Sequence, residues 1–424
     1  MSRIKIFVSR DWAPIRLGTL TRALSFLLVL AVLIMAGALS QAQSNFTIIH
    51  YFTGPDGDGP NSTPTLDSQG NLYGTTWGGG DQCGNVYELE HVNGSWIMHP
   101  RYTFTGQLDG CEPFGAVTIG PDGTLFGTTE IRGAGGHGTL FNVRPPAHAV
   151  CATPFCPGTD TTLHSFAGSP SDGAESLAGV VFDLQGNLYG TTYSGGTYGG
   201  GTVYEATRSG STWNVSVIHS FGSPDNDGNR PYAGVVLDSA GNIYGTTMLG
   251  GVYTCGTVFE LTPSEGGWTE TLLHSFPGGA DGCAPQAGLV FDRAGNLYGA
   301  TYYGTIFELS RQGGGWNFTT IYTFPENGAG SGPASSLAID AAGNLYGANV
   351  VGGTYNYGNV WELSPSSGGG WTYTDLYDFT RHGDDGAYPY AGVAVTGPGG
   401  YLYGTAGRGA RNRGIIYQIN LGAH

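Results

Sequence analysis

The chain has 424 residues, of which 76 are glycine, and carries a formal net charge of −16. Charge of that sign repels nucleic acid and anionic lipid, so neither is expected as a partner. With 40% hydrophobic and 12% aromatic residues the chain is too apolar to be disordered, and its excess of glycine suits many short strands joined by tight turns.

The N-terminus reads as a targeting segment. Arg3, Lys5, Arg10, Arg16 and Arg22 precede an uncharged run from Ala23 to Ala38, and Ser40-Gln41-Ala42 offers small residues at a cleavage site. Residues 1–42 are therefore predicted to be a signal peptide and residues 43–424 one domain, exported to the periplasm or beyond. The alternative is retention of the run as an anchor; no later segment is apolar enough to span a membrane. Lys5 is the only lysine, so the mature chain has arginine as its sole strong cation. Such an acidic surface leaves cations, neutral glycans and basic proteins as candidate partners.

One motif recurs along the rest of the chain. It first reads Gly70-Asn71-Leu72-Tyr73-Gly74-Thr75-Thr76, and variants begin at Gly123, Gly186, Gly241, Gly295, Gly343 and Gly400. A second motif is a phenylalanine that closes a strand before a Gly-rich turn: Phe52, Phe104, Phe166, Phe221, Phe276, Phe324 and Phe379. Each unit holds four strand candidates. In the fourth, Ala233–Asp238 is strand A, Asn242–Thr247 strand B, Gly256–Leu261 strand C and Trp268–Phe276 strand D.

A four-stranded sheet of about fifty residues cannot bury both faces alone, but radial stacking of such sheets can. The predicted fold is all-β: a seven-bladed β-propeller with four antiparallel strands per blade. Its ends support closure. Residues 45–52 read as a lone D strand and residues 414–420 as a C strand with no D after it, so the N-terminal strand should complete the last blade and leave no open edge.

The full pattern, with its GNLYGTT, GTVFEL, LHSF and AGLVFD elements, resembles the bacterial secreted proteins with GloVer tandem repeats, often called choice-of-anchor proteins. The resemblance covers essentially the whole mature chain. It implies a bacterial exported protein, usually of unassigned function, and brings no catalytic residues with it. Many relatives end in a C-terminal anchoring segment; Leu421-Gly422-Ala423-His424 does not read as one.

Six cysteines in an exported chain suggest three disulfides. Cys83 lies in a B–C loop and Cys111 in the next D–A loop; Cys255 and Cys283 occupy the same two places in another unit. Up-and-down blades put both loop types on one face, so the expected bridges are Cys83–Cys111 and Cys255–Cys283. That leaves Cys151 with Cys156.

The same face supplies the candidate ligand surface. B–C loops carry Trp77, Tyr193, Tyr198, Tyr253, Tyr302, Tyr303, Tyr355 and Tyr357, and D–A loops carry Asp56 (or Asp58), Asp109, Asp172, Asp227, Asp281 and Asp385. Aromatic rings beside acids suit sugars, because a ring covers the apolar face of the sugar while polar groups take its hydroxyls. A carboxylate ring could bind Ca²⁺, although Asp-Gly is also ordinary turn chemistry. No metal site or other cofactor is expected. His50, His164, His219 and His274 share a strand-D position that other units fill with Tyr102, Tyr322 and Tyr377, which points to packing with a polar tip.

No Gly-x-Ser-x-Gly elbow, His-Glu-x-x-His pair or phosphate loop is present. The expectation is a monomeric, non-catalytic binding or interaction module for a glycan or an extracellular protein. The alternatives are a propeller enzyme acting on polysaccharide, as a glycosidase or lyase, and a structural surface component.

Overall fold

The computed structural model describes residues 45–144, 158–325, 332–333, 336–381, 384–397, 399–408 and 412–422. The predicted signal peptide and the Cys151–Cys156 pair lie outside them. Among the described residues there is no α-helix; a 3₁₀ turn spans Gly279–Asp281, and no helix is long and apolar enough to cross a membrane.

Strands A to D of the first blade are Thr65–Leu66, Leu72–Thr76, Asn85–Val92 and Ser95–Thr103. Those of the second are Thr118–Ile119, Leu125–Thr129, Thr139–Arg144 and Thr159–Ser165. The third has Val181–Phe182, Leu188–Thr192, Thr202–Ser209 and Thr212–Ser220; the fourth has Val236–Leu237, Ile243–Thr247, Thr257–Ser264 and Gly267–Ser275. The fifth has Val290–Phe291, Leu297–Thr301, Thr305–Gln312 and Gly315–Thr323; the sixth has Ala338–Ile339, Leu345–Asn349, Asn359–Pro365 and Trp371–Asp378. In the seventh, Ala394–Val395, Tyr401–Ala406 and Ile415–Asn420 are joined by Phe46–Tyr51 as strand D. The protein is a seven-bladed β-propeller closed by its N-terminal strand, with Phe46 opposite Ile419 and Tyr51 opposite Ile415.

Strand A is shorter than the sequence suggests. Only Val236 and Leu237 of the Ala233–Asp238 run pair with strand B. The preceding residues bond sideways instead: the Thr191 hydroxyl of blade 3 donates to the Ala233 carbonyl of blade 4 at 2.9 Å. The same link runs from Thr75 to Gly115, Thr128 to Ala178, Thr246 to Ala287 and Thr405 to Ser62. The first Thr of each Gly-Thr-Thr is thus a clamp on the next blade. Blades 5 and 6 have Ala300 and Ala348 there, and the Ser336 hydroxyl accepts the Gly288 N–H across their junction.

The two repeat motifs meet between blades. Each strand-closing Phe packs on the strand-C aromatic of the following blade: Phe52 on Tyr87, Phe104 on Phe141, Phe166 on Tyr204, Phe221 on Phe259, Phe276 on Phe307, Phe324 on Trp361 and Phe379 on Tyr417. Centroid separations are 5.0 to 5.5 Å, within the range for favourable ring pairs. The glycine of Tyr-Gly-Thr makes room for that strand-C ring. A Cβ on Gly190 would lie 2.3 Å from the Tyr204 hydroxyl.

At the A–B turns a second network forms. Asp238 accepts the Ala240 and Asn242 amides, the Asn242 side chain and the Tyr244 hydroxyl, and Tyr244 also donates to Glu260. Asp67, Asp183, Asp292 and Asp340 hold the corresponding Asn and Tyr of their blades. The Asn and Tyr of the repeat motif are therefore structural.

Candidate functional site at the axial mouth

D–A and B–C loops do share one face, and they are joined there. Each D–A loop pairs with the B–C loop of the blade it enters, as at Cys111 with Ile131, Gly173 with Gly195 and Gly228 with Gly250. It also bonds back to the preceding blade. Glu112 N–H donates to the Cys83 carbonyl, Glu175 to His137, Arg230 to Gly200, Ala284 to Cys255 and Tyr388 to Tyr357. These five donors all hold left-handed backbone, with φ from 56° to 63°. At two of the junctions a disulfide reinforces the link: Cys83–Cys111 and Cys255–Cys283, each with Cα atoms less than 5 Å apart at 4.5 and 4.8 Å.

After the donor each loop reaches a residue that faces the propeller axis. Asn61, Phe114, Leu177, Tyr232, Gln286 and Tyr390 come together there from six blades and line a cavity of about 120 Å³. Pro60, Pro113, Pro231, Pro285 and Pro389 precede five of them and fix the backbone at the turn toward the axis. Sequence reasoning missed this ring. Its members are chemically unlike, and the only signal is the proline before them.

A second set is the residue directly after strand B: Trp77, Glu130, Tyr193, Met248, Tyr302, Val350 and Gly407; of these, Tyr193 touches Tyr232 and Met248 accepts from Gln286 of the axial ring. Tyr232 of the axial ring touches a member of each set. Its centroid is 6.2 Å from Phe114 and 6.3 Å from Tyr193, edge to face with both. Burial, with Glu130, Tyr193 and Tyr390 nearby, pushes its hydroxyl up to about 12. Burial and the like charges of Glu112 and Glu175 raise the Glu130 carboxyl above its ordinary value. Arg230 donates to the Tyr193 hydroxyl at 2.7 Å and lies over its ring. The mouth is thus aromatic on one side, with amides and acids within reach.

The predicted aromatics divide. Trp77, Tyr193 and Tyr302 directly follow strand B of their blades. Tyr198 and Tyr253 lie at the outer tips of their B–C loops, where neighbouring amides bond to Ser220 and Ser275 at the ends of strand D. Tyr355 has the matching place in its own loop. All three are more than half exposed, at 56%, 56% and 52%, on separate blades.

Most of the D–A aspartates are engaged by groups of their own loop or strand D. Four of them are turned into their own loops and bonded to the strand-D His or Tyr. Asp56 meets His50 at 2.9 Å, Asp172 meets His164 at 2.9 Å, and the Tyr102 and Tyr377 hydroxyls donate to Asp109 and Asp385 at 3.0 Å. Burial raises the Asp109 carboxyl, but donation from Thr105, Tyr102 and Gln107 outweighs it and holds the group below its usual range. His274 and Asp281 are 3.4 Å apart. In the four bonded units the His or Tyr is the hydrogen-bond partner of the aspartate, not packing alone.

The residue four positions before each His or Tyr faces the preceding blade. Phe46 stacks on Tyr377, Phe318 on His274 and Tyr373 on Tyr322. Two blades place a carboxylate at that position. Asp160 faces Tyr102 and Asp109 and is pushed up to about 7 by burial and the Asp109 charge. Glu270 faces His219 and Asp227; burial and Asp227 push it up to about 7, against the pull of His219.

The fold is a seven-bladed propeller with a small cavity at its axis, lined by the loops that enter the blades. The chain belongs to the Gloeobacter/Verrucomicrobia repeat family, whose sequence profile matches residues 152–305 and 272–424. No curated protein matches the sequence. Among solved structures it is similar to a candidate 6-phosphogluconolactonase from Bacteroides uniformis. The TM-score is 0.50 at 16% identity, over 84% of this chain and 89% of that one. It is also similar to an ancestral GH74 enzyme, with a TM-score of 0.55 at 14% identity, over 87% of this chain and 48% of that one. At such identities the likeness shows the fold alone.

Proposed function

We propose that this protein is an exported, non-catalytic binding module that takes the end of a neutral glycan at the mouth of the axial channel. The observation that carries the reading is Tyr232, set between Phe114 and Tyr193 above the cavity with Glu130 beside it. Edge and face aromatics can cover a sugar ring while Asn61, Gln286 and Glu130 take hydroxyls. At about 120 Å³ the cavity is smaller than the ~300 Å³ or more of sites that engulf a ligand, so it suits a single sugar presented end-on. The acidic chain argues against an anionic polymer. Two disulfides and the absence of a membrane-spanning helix among the described residues are compatible with export.

A glycan array followed by calorimetry tests the reading. Binding of a neutral oligosaccharide that Tyr232→Ala abolishes and Tyr253→Ala spares supports it. No binding at millimolar concentrations overturns it. The rival, a polysaccharide-active enzyme, draws support from Glu130, whose raised carboxyl has the character of a general acid. Turnover of the bound glycan, lost in Glu130→Gln, would favour the enzyme.

A further inference from the structure

We propose that His219, Asp227 and Glu270 form a binding site for a divalent transition ion of the zinc class, between blades 3 and 4. The argument starts from the repeat. In blades 7 and 2 the strand-D histidine bonds its loop aspartate at 2.9 Å. Blade 4 brings a second carboxylate, Glu270, to the matching place beside blade 3, and there the imidazole bonds neither acid. His219 Nε2 stands 3.6 Å from Asp227 Oδ1 and 3.7 Å from Glu270 Oε2. All three donor atoms lie within 4.8 Å of one another. Bonds of about 2.0–2.1 Å at tetrahedral angles need donors roughly 3.3 Å apart, which the side chains reach with small shifts.

Unpartnered atoms point the same way. His219 Nε2, Asp227 Oδ1 and Glu270 Oε1 are all buried without a hydrogen-bond partner. The Asp227 side chain is only 5% exposed, and its other oxygen is fixed by the Gly222 and Ser223 amides, so the free oxygen is held toward the cluster. Buried polar atoms without partners are costly; one cation coordinated by all three would satisfy them and neutralise two carboxylates. One imidazole and two carboxylates suit zinc better than Ca²⁺, which takes six to eight oxygens. Three protein donors leave a position for water, and the 20% and 18% exposure of His219 and Glu270 lets solvent reach it. No other such trio occurs among the described residues.

The test is calorimetric titration of the chelator-stripped protein with Zn²⁺ alone. One equivalent should bind, and His219→Ala and Glu270→Gln should each weaken binding at least tenfold. His164→Ala, which alters a histidine without a second carboxylate, should leave it unchanged. Glu270→Gln preserves shape, and an unchanged circular dichroism spectrum confirms that it folds. Co²⁺ in place of Zn²⁺ should give the intense visible absorption of a tetrahedral site. The proposal is overturned if the wild type binds no Zn²⁺, if Glu270→Gln binds it as tightly, or if Ca²⁺ binds in preference.

Discussion

The Thr191 hydroxyl in blade 3 reaches the Ala233 carbonyl in blade 4 at 2.9 Å, and both residues are buried. Four other junctions are clamped in the same way. Replacing Thr191 with Ala leaves a buried carbonyl without its donor, so the variant should lose about 1–3 kcal/mol. Urea denaturation measures it. A midpoint equal to the wild type would mean that the clamp contributes nothing net.

Removing Cys83–Cys111 or Cys255–Cys283 should be costlier. Each bridge spans 28 residues, and closing a loop of that length contributes about 3–4 kcal/mol in the chain-entropy model. Both bridges join neighbouring blades, so reduction should loosen a junction rather than a single loop. Paired Cys→Ser variants, followed by thermal melting without reductant, should show two separate losses of stability. Non-reducing peptide mapping should recover the two peptides; one linking Cys83 to Cys255 would contradict the structure.

Closure predicts a further outcome. Strand Phe46–Tyr51 is the outer strand of blade 7, and Phe52 packs fully buried on Tyr87 of blade 1. Deleting residues 43–53 exposes the edge of Ile415–Asn420 and empties the Phe52 pocket. Unpaired edges recruit other chains, so the truncated protein should elute as aggregate in size-exclusion chromatography. A monomer with unchanged melting would mean that the ring does not need this strand.

How far the sequence speaks depends on whether a residue's partner lies in its own repeat unit. Blade number, strand order and the shared loop face follow from motifs that recur with little change, such as Leu72–Thr76 and Phe52. The partners of those motifs lie one blade away: Phe52 needs Tyr87, and Thr191 needs Ala233. Spacing within a unit says nothing of such pairs. The His–Asp bonds were hidden more simply, because the separation is six residues for His50–Asp56 and eight for His164–Asp172. The axial ring was least legible. Phe114, Leu177, Tyr232 and Gln286 share a place but no common residue type, since their neighbours come from other blades and do not repeat, as Tyr193 for Tyr232 and Met248 for Gln286.

Asp160 gives the last prediction, a dependence on pH. Its carboxyl is pushed up to about 7 by burial and the Asp109 charge, and one of its oxygens is buried without a partner. Tyr102, whose hydroxyl donates to Asp109, is the other titratable group facing it. In the unfolded chain an aspartate titrates near ~3.9. The folded state therefore holds this proton more tightly, and the contribution to stability is fully present below about pH 4 and is lost as pH rises through about 7. Asp160→Asn keeps the shape but removes the charge. The variant should match the wild type near pH 4 and exceed it above pH 7, by about 1 kcal/mol or more after discounting for a partly exposed group. Chemical denaturation at both pH values decides it. An Asn variant that is less stable than the wild type at pH 8 would show that the carboxylate, not the acid, is the form this junction prefers.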